Sequence, residues 1–193
     1  MDMDRPNRQE WLPDRWTLLG CVIILAVFLG AGLFVRTRTA PVEVGFRAPD
    51  FTATDFEGRE VSLSQLRGEV VFLNVWATWC PPCREEMPSM QRLYEKLGPE
   101  GLRIVAVSID TPAGSQDRSG RPGGNVGSFV QEHGLMFDVW LDPAGEIQRV
   151  YRTLGVPESV IIGRDGSIAK KVIGSTNWDT EENIALIRQL LRS

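Results

Sequence analysis

Histidine is all but missing from this chain, with one in 193 residues, and cysteine is scarce, with three. A structural zinc site needs four Cys or His ligands; here the lone His133 and the lack of a second Cys-x-x-Cys leave it short. Cys21, Cys80 and Cys83 are also too few for a disulfide-stapled secreted scaffold, which needs more pairs over longer loops. No charge of one sign dominates: 21 basic residues face 25 acidic ones, a net of −4, which gives no electrostatic case for nucleic acid binding. Internal repeats are absent. His133 itself precedes Gly134 at an expected helix end, where a solvent-facing histidine meets the last carbonyls, and it receives no catalytic role.

What the chain does have is one long apolar run. "LLGCVIILAVFLGAGLFV", residues 18–35, carries no charge over 18 residues, enough to reach across a hydrocarbon core of about 30 Å. Few soluble helices are apolar on every face, so the run reads as a membrane helix. It meets Arg36 and Arg38 rather than a small-residue cleavage site, so it reads as an uncleaved anchor. "LLGC" resembles a lipoprotein box but precedes the apolar region instead of following it, and Cys21 reads as an ordinary membrane residue. Arg5, Arg8 and Arg15 before the span balance Arg36, Arg38 and Arg47 after it, so the positive-inside rule returns a tie. The expected organisation is a polar tail over 1–16, an anchor over 17–35, a linker over 36–44 and one globular domain over 45–193.

Within the domain, "DFTATDFEGREVSL" reads as a β-hairpin around Glu57-Gly58. "SLSQLRG" gives a helical turn or two ended by Gly68, and "EVVFLNVWA" (69–77) is the continuous apolar pattern of a strand buried on both faces. A helix over 81–97 should start on its prolines and kink at Pro88. A second buried strand covers 102–110, and 111–125 reads as a flexible surface loop. A short helix (126–134), a strand (137–142) and a helix over 145–155 with Ile147, Val150, Tyr151 and Leu154 on one side follow. The chain closes with a hairpin around "RDGS" and a helix carrying Ile184, Leu186, Ile187, Leu190 and Leu191. Strands alternating with helices make an α/β sandwich with a mixed sheet.

The chemistry gathers at "WCPPC", residues 79–83. Cys80 falls where a buried strand turns into a helix, whose unsatisfied N–H groups and positive dipole end favour a thiolate. A Cys-x-x-Cys at that point makes the first sulfur the exposed nucleophile. Cys83, one turn on and nearer the interior, can displace whatever becomes attached. Pro81 and Pro82 remove two N–H donors and leave that of Cys83 as the nearest. A moderately stabilised thiolate follows, suited to a reductant or mild exchanger rather than a strong oxidant. A static disulfide over so short a loop would add little stability, which favours redox chemistry over a staple. Trp79 reads as a partly exposed platform beside the sulfurs, Glu85 as a solvated helix residue, and Trp76, Trp140 and Trp178 as packing.

"WCPPC", with "GFRAPDFTATDFEGREVSLSQLRGEVVFLNVWATWC" before it and "LGVPESVIIGRDGSI" after it, resembles the TlpA/ResA-like membrane-anchored thiol–disulfide oxidoreductases of the thioredoxin superfamily. The resemblance spans nearly all of residues 45–192. It implies a thioredoxin-like fold, a mixed central sheet flanked by helices, with an N-terminal β-hairpin extension and a single transmembrane helix. It implies no cofactor and no metal beyond the redox-active Cys80–Cys83 pair. Cys80 would attack and Cys83 resolve. Pro157 matches the proline whose preceding bond is cis, presenting the Val156 backbone to an extended substrate, and Glu86 matches an acidic residue that tunes the thiols. Thioredoxins proper carry a buried Asp where this chain has Asn74; an amide cannot take a proton, so Glu86 is expected to inherit that role. Glu158 stands where relatives often have Thr and is expected to bring negative charge near the substrate groove.

The same resemblance implies a domain outside the cytoplasm, electrons from a membrane thiol transporter of the DsbD/CcdA type, and exported protein disulfides such as those of apocytochrome c as clients. Two alternatives stand beside it. "APDFTATDFEGREVSLSQLRG" also occurs in AhpC-type peroxiredoxins, although Thr78 lies two residues before Cys80 and five before Cys83, and neither spacing fits their Pro-x-x-x-Thr-x-x-Cys pocket. The other is a tethered, non-enzymatic client-binding or assembly factor.

Overall fold

The structure, a computed structural model, describes residues 15–38, 41–117 and 119–193, with the side chains of 15, 17 and 29–38 outside that description. The chain divides into two units, Met1–Thr39 and Ala40–Ser193. In the first, α1 (Arg15–Arg38) runs for 24 residues, past both ends of the expected 17–35 span. Among the described residues no helix is long and apolar enough to cross a membrane; of the expected 17–35 span, the side chains of 17 and 29–35 lie outside that description. Residues 1–14 of the expected polar tail lie outside them altogether.

The second unit is built around a seven-stranded sheet. Its strands are β1 (Thr52–Thr54), β2 (Glu60–Ser62), β3 (Val70–Trp76), β4 (Leu102–Ser108), β5 (Asp138–Leu141), β6 (Glu158–Ile162) and β7 (Ile168–Ile173). Spatial order is β2-β1-β5-β4-β3-β6-β7. The inner strands β5, β4 and β3 run parallel, while β6, β7, β1 and β2 pair antiparallel at the two flanks. The helices are α2 (Pro81–Leu97), α3 (Val126–Glu132), α4 (Glu146–Tyr151) and α5 (Glu181–Arg192).

Side chains alternate across a strand, so β3 feeds two cores at once. Val70, Phe72 and Trp76 pack on one face with Met87, Met90 and Leu93 of α2 and Ile184 and Ile187 of α5. Val71, Leu73 and Val75 face the other way, toward Ile147 and Tyr151 of α4, Phe51 and Trp140. All seven β3 residues are buried, which is why this stretch reads as apolar without alternation. Val42 joins the second core, and the Lys171 Nζ donates to its carbonyl at 3.0 Å. Gly45 and Phe46 exchange backbone hydrogen bonds with Ile168 at 2.8 Å, seating the entering chain along β7.

One expected element needed correction. The helix expected over 145–155 is only α4: Arg152 takes a left-handed φ of 54° and ends it, leaving Leu154 fully exposed instead of on the apolar side. Within the 111–125 surface loop the described residues form local turns. Gln116 and Pro122 form a bridge, Asp117 accepts from the backbone N–H groups of Ser119 and Arg121, and the Arg121 side chain returns to Asp117 at 2.8 Å. An Asp followed by Ser and Gly can organise a turn through its own side chain. α2 continues through Pro88. His133 sits as expected, its Nδ1 2.9 Å from the Phe129 carbonyl.

The loop is anchored beneath the cysteine motif. Asp110, buried after β4, accepts from the Thr78 backbone at 2.8 Å, the Thr78 hydroxyl at 2.6 Å and Ser108 at 2.8 Å. Gly124 lies against this cluster, where an added Cβ would overlap Thr78 Oγ1 and Asp110 Oδ1. Gly124→Ala is therefore expected to lower stability by about 1–3 kcal/mol, the usual cost of overpacking, seen as a lower urea midpoint with an unchanged slope.

Candidate functional site

The β3 strand ends at Trp76, and the chain turns through 77–79 into α2. Cys80 is the N-cap of that helix and Cys83 lies in its first turn, after Pro81 and Pro82. The two sulfurs form a disulfide, with Cα atoms 5.3 Å apart. The Cys83 N–H points at Cys80 Sγ from 3.2 Å, the local donor that the two prolines leave over. Cys80 is only 4% exposed and Cys83 is fully buried. The order of access is the expected one, but the first sulfur is far less open than a freely exposed nucleophile, with the Val156 backbone lying against it.

The 154–157 segment is the second wall. The Val156–Pro157 peptide is cis, and the Val156 carbonyl oxygen lies 3.5 Å from Cys80 Sγ. Val156 and Trp79 are both partly buried against the α2-side core. Trp79 has its ring face covered by the Arg121 guanidinium, 4.1 Å from the ring centre. The structure thus brings Cys80, Cys83, Val156, Pro157 and Trp79 together at one end of the sheet.

Glu86 lies one turn beyond Cys83 on the same face of α2 and is 2% exposed. Its Oε1 accepts from Asn74 Nδ2 at 2.8 Å; its Oε2 accepts from Trp178 Nε1 at 3.1 Å and from the Thr176 backbone at 3.3 Å. Asn74 also donates to Ser159 Oγ at 2.9 Å. Burial pushes the Glu86 carboxyl above the ordinary glutamate range, opposed by the donors from Trp178, Asn74 and Thr176. An open cleft of about 490 Å³ reaches this carboxyl between Ser89 and Arg92 of α2 and the 175–177 segment.

Trp178 was expected only to pack. It does so, 4.3 Å from the Phe72 ring, but its indole N–H is also spent on Glu86, 92 positions away. Thr176, Ser159 and Asp110 are likewise invisible in the sequence as site residues, since nothing local marks them. Glu158 is the other correction. On β6 it faces the side opposite Ser159, buried, with Lys171 Nζ at 3.3 Å. Burial raises its carboxyl and Lys171 lowers it. Its charge is neutralised inside the fold and is not offered to the groove. Among the described residues no His, Cys, Asp and Glu cluster could hold a metal ion.

A disulfide at the N-terminus of a helix that leaves a buried central strand, faced by the loop preceding β6, defines a thiol–disulfide oxidoreductase of the thioredoxin-like class. Residues 44–171 match the AhpC/TSA family, and the chain belongs to it. Within it, the chain is similar to the thiol–disulfide oxidoreductase ResA of Bacillus thuringiensis, with 36% identity covering 88% of this chain and 96% of that protein. It is 34% identical to ResA of Geobacillus thermodenitrificans over 94% of this chain and 99% of that one. Among solved structures, a Chlorobium tepidum thiol:disulfide interchange protein described as DsbE shares the fold with a TM-score of 0.63 and 32% identity, covering 77% of this chain and 98% of its own. StoA from Bacillus subtilis gives a TM-score of 0.53 at 26% identity, over 75% and 96%. The protein is an enzyme that exchanges dithiols and disulfides through Cys80 and Cys83.

The raised Glu86 carboxyl has a consequence for stability. The folded protein holds this proton more tightly than the unfolded chain, so the group favours folding below the ordinary glutamate value of 4.5 and loses that contribution as pH rises through its higher folded value. Measured by urea midpoints, wild type should therefore lose stability relative to Glu86→Gln as pH climbs from 4.5, then run parallel to it. A difference that moves the opposite way would mean that the donors outweigh burial.

Proposed function

We propose that this oxidoreductase reduces disulfides of exported proteins, apocytochrome c haem-site cysteines among them, from a membrane-tethered position outside the cytoplasm. The observation that carries the reading is the helix-capping Cys80–Cys83 pair, with two prolines removing donors and one N–H left on Cys80 Sγ. Fewer donors favour the thiolate less, which suits a reductant. Tethering is supported by the uncharged run 18–35 and by the apolar side chains of α1, among them Ile23, Leu25 and Phe28, which are exposed. An exchanger of this kind is of most use where disulfides persist, since the cytosol already keeps thiols reduced.

In this reading the Cys80 thiolate attacks a client sulfur. A Cys80–client disulfide forms, the client disulfide breaks, and the departing client sulfur takes a proton. Cys83 gives its proton to Glu86 and attacks Cys80 Sγ; the internal disulfide forms and the second client sulfur leaves with its electron pair. The client has gained two electrons and the enzyme has lost them. A membrane thiol transporter of the DsbD/CcdA type returns the pair to the dithiol state. Val156 offers its backbone to an extended client segment beside Pro157, and Trp79 flanks it.

A peroxidase reading finds little support at Thr78, whose hydroxyl is engaged by Asp110 rather than free beside a cysteine. Cys83→Ser should accumulate mixed disulfides through Cys80, identifiable by mass spectrometry as exported proteins, and the Cys80→Ser/Cys83→Ser pair should accumulate none. Wild type should reduce insulin and leave hydrogen peroxide unconsumed. A cellular role preserved in Cys80→Ser would instead point to client binding without redox exchange.

A further inference from the structure

Every group that touches the Glu86 carboxyl is a donor, yet only one of them can change roles. The Trp178 indole N–H and the Thr176 backbone N–H have no acceptor to offer and both aim at Oε2. A proton placed on Oε2 would meet hydrogen against hydrogen. Oε1 faces the Asn74 amide, whose other end, Oδ1, is fully buried without a hydrogen-bond partner. An orphaned buried acceptor is costly and asks for a reason.

A half-turn of the amide about its terminal torsion swaps Nδ2 and Oδ1 with almost no change of shape. Oδ1 would then face Oε1 and the Ser159 hydroxyl, which now accepts from Nδ2 and can equally donate. We propose that Asn74, backed by Ser159, is a positioning residue that directs the Glu86 proton to Oε1 by turning its amide end for end. With Glu86 ionised, Nδ2 points inward and Ser159 accepts. With Glu86 protonated, Oδ1 accepts from Oε1–H and Ser159 donates. Each state leaves one amide end unpaired, so neither is locked.

This rests on the reading of Glu86 as proton acceptor for Cys83: the S–H bond breaks, the electron pair stays on sulfur, and the O–H bond forms at Oε1. The groups facing the carboxyl from β3, β6 and the 174–180 segment are Asn74, Ser159, Thr176 and Trp178, none of which titrates in the working range. Of its charged neighbours at the cleft on α2, Glu85 is solvated and Arg92 is paired with Asp179 at 2.6 Å. Lys170 of β7 is held by Asn183 and Glu182.

The test loads Cys80 of the full-length chain with thionitrobenzoate and follows its release by Cys83 against pH. Glu86→Gln should remove the lower ionisation from that profile and leave the one that belongs to the Cys83 thiol itself; if the lower one stays, the role given to Glu86 fails. If it goes, Asn74→Leu should raise that midpoint by about one unit, a tenfold change in proton affinity of the size by which a hydrogen bond to the ionised carboxylate exceeds one to the neutral acid. An unmoved midpoint there overturns the role of Asn74 alone. A second measurement needs no altered core: the side-chain amide lines of Asn74, followed by NMR, should titrate with the kinetic midpoint in wild type and stay fixed in Glu86→Gln. Amide lines that stay still while wild-type kinetics titrate also overturn it.

Discussion

Three N–H groups from two parts of the chain, β3 and the 174–180 segment, converge on one buried carboxyl. They come from Asn74 in the middle of β3 and, between β7 and α5, from the Thr176 backbone and the Trp178 indole. Together they tie α2 to the sheet at the turn that follows Cys83, so the helix that carries the disulfide cannot shift without breaking polar contacts as well as apolar ones. The carboxyl is fully engaged, and the one buried atom of the cluster without a partner is Asn74 Oδ1.

The parity of β3 decides that this meeting occurs. Asn74 shares a face with Phe72 and Trp76, the face that α2 covers, while its neighbours Leu73 and Val75 look toward α4. On β6, Ser159 and Ile161 point the same way as Asn74, and Glu158 points opposite. Adjacent residues of one strand thus serve different ends: Ser159 reaches Asn74 in the Glu86 cluster, while Glu158 is neutralised by Lys171 on the far side of the sheet.

The sequence made the framework legible where patterning is local. The unbroken apolar stretches of β3 and β4, the Pro-Pro start of α2 and the terminal amphipathic helix each carry their own periodicity, and Cys-x-x-Cys marks the reacting sulfurs. Long-range partners leave no such mark. Nothing near Trp178 announces that its N–H reaches Glu86, and nothing near Glu158, expected to bring charge to the groove, announces that Lys171 neutralises it. Leu154 shows the same limit: its spacing fits a helix that a single left-handed residue, Arg152, ends early. The contacts of the 111–125 loop left no pattern to read, because they come from side-chain turns around Asp117 and from Asp110 beneath it, neither of which has a period.

The seat of the entering chain bears on mechanics. Val42 is held by the Lys171 ammonium, and Gly45 and Phe46 are laced to Ile168, all along β7 at the outer edge of the sheet. A pull at residue 41 directed along β7 would load these bonds in parallel, as shear, before strain passed inward through β6 to β3. Under such a load the border strand yields first, and the sulfurs stand two strands further in.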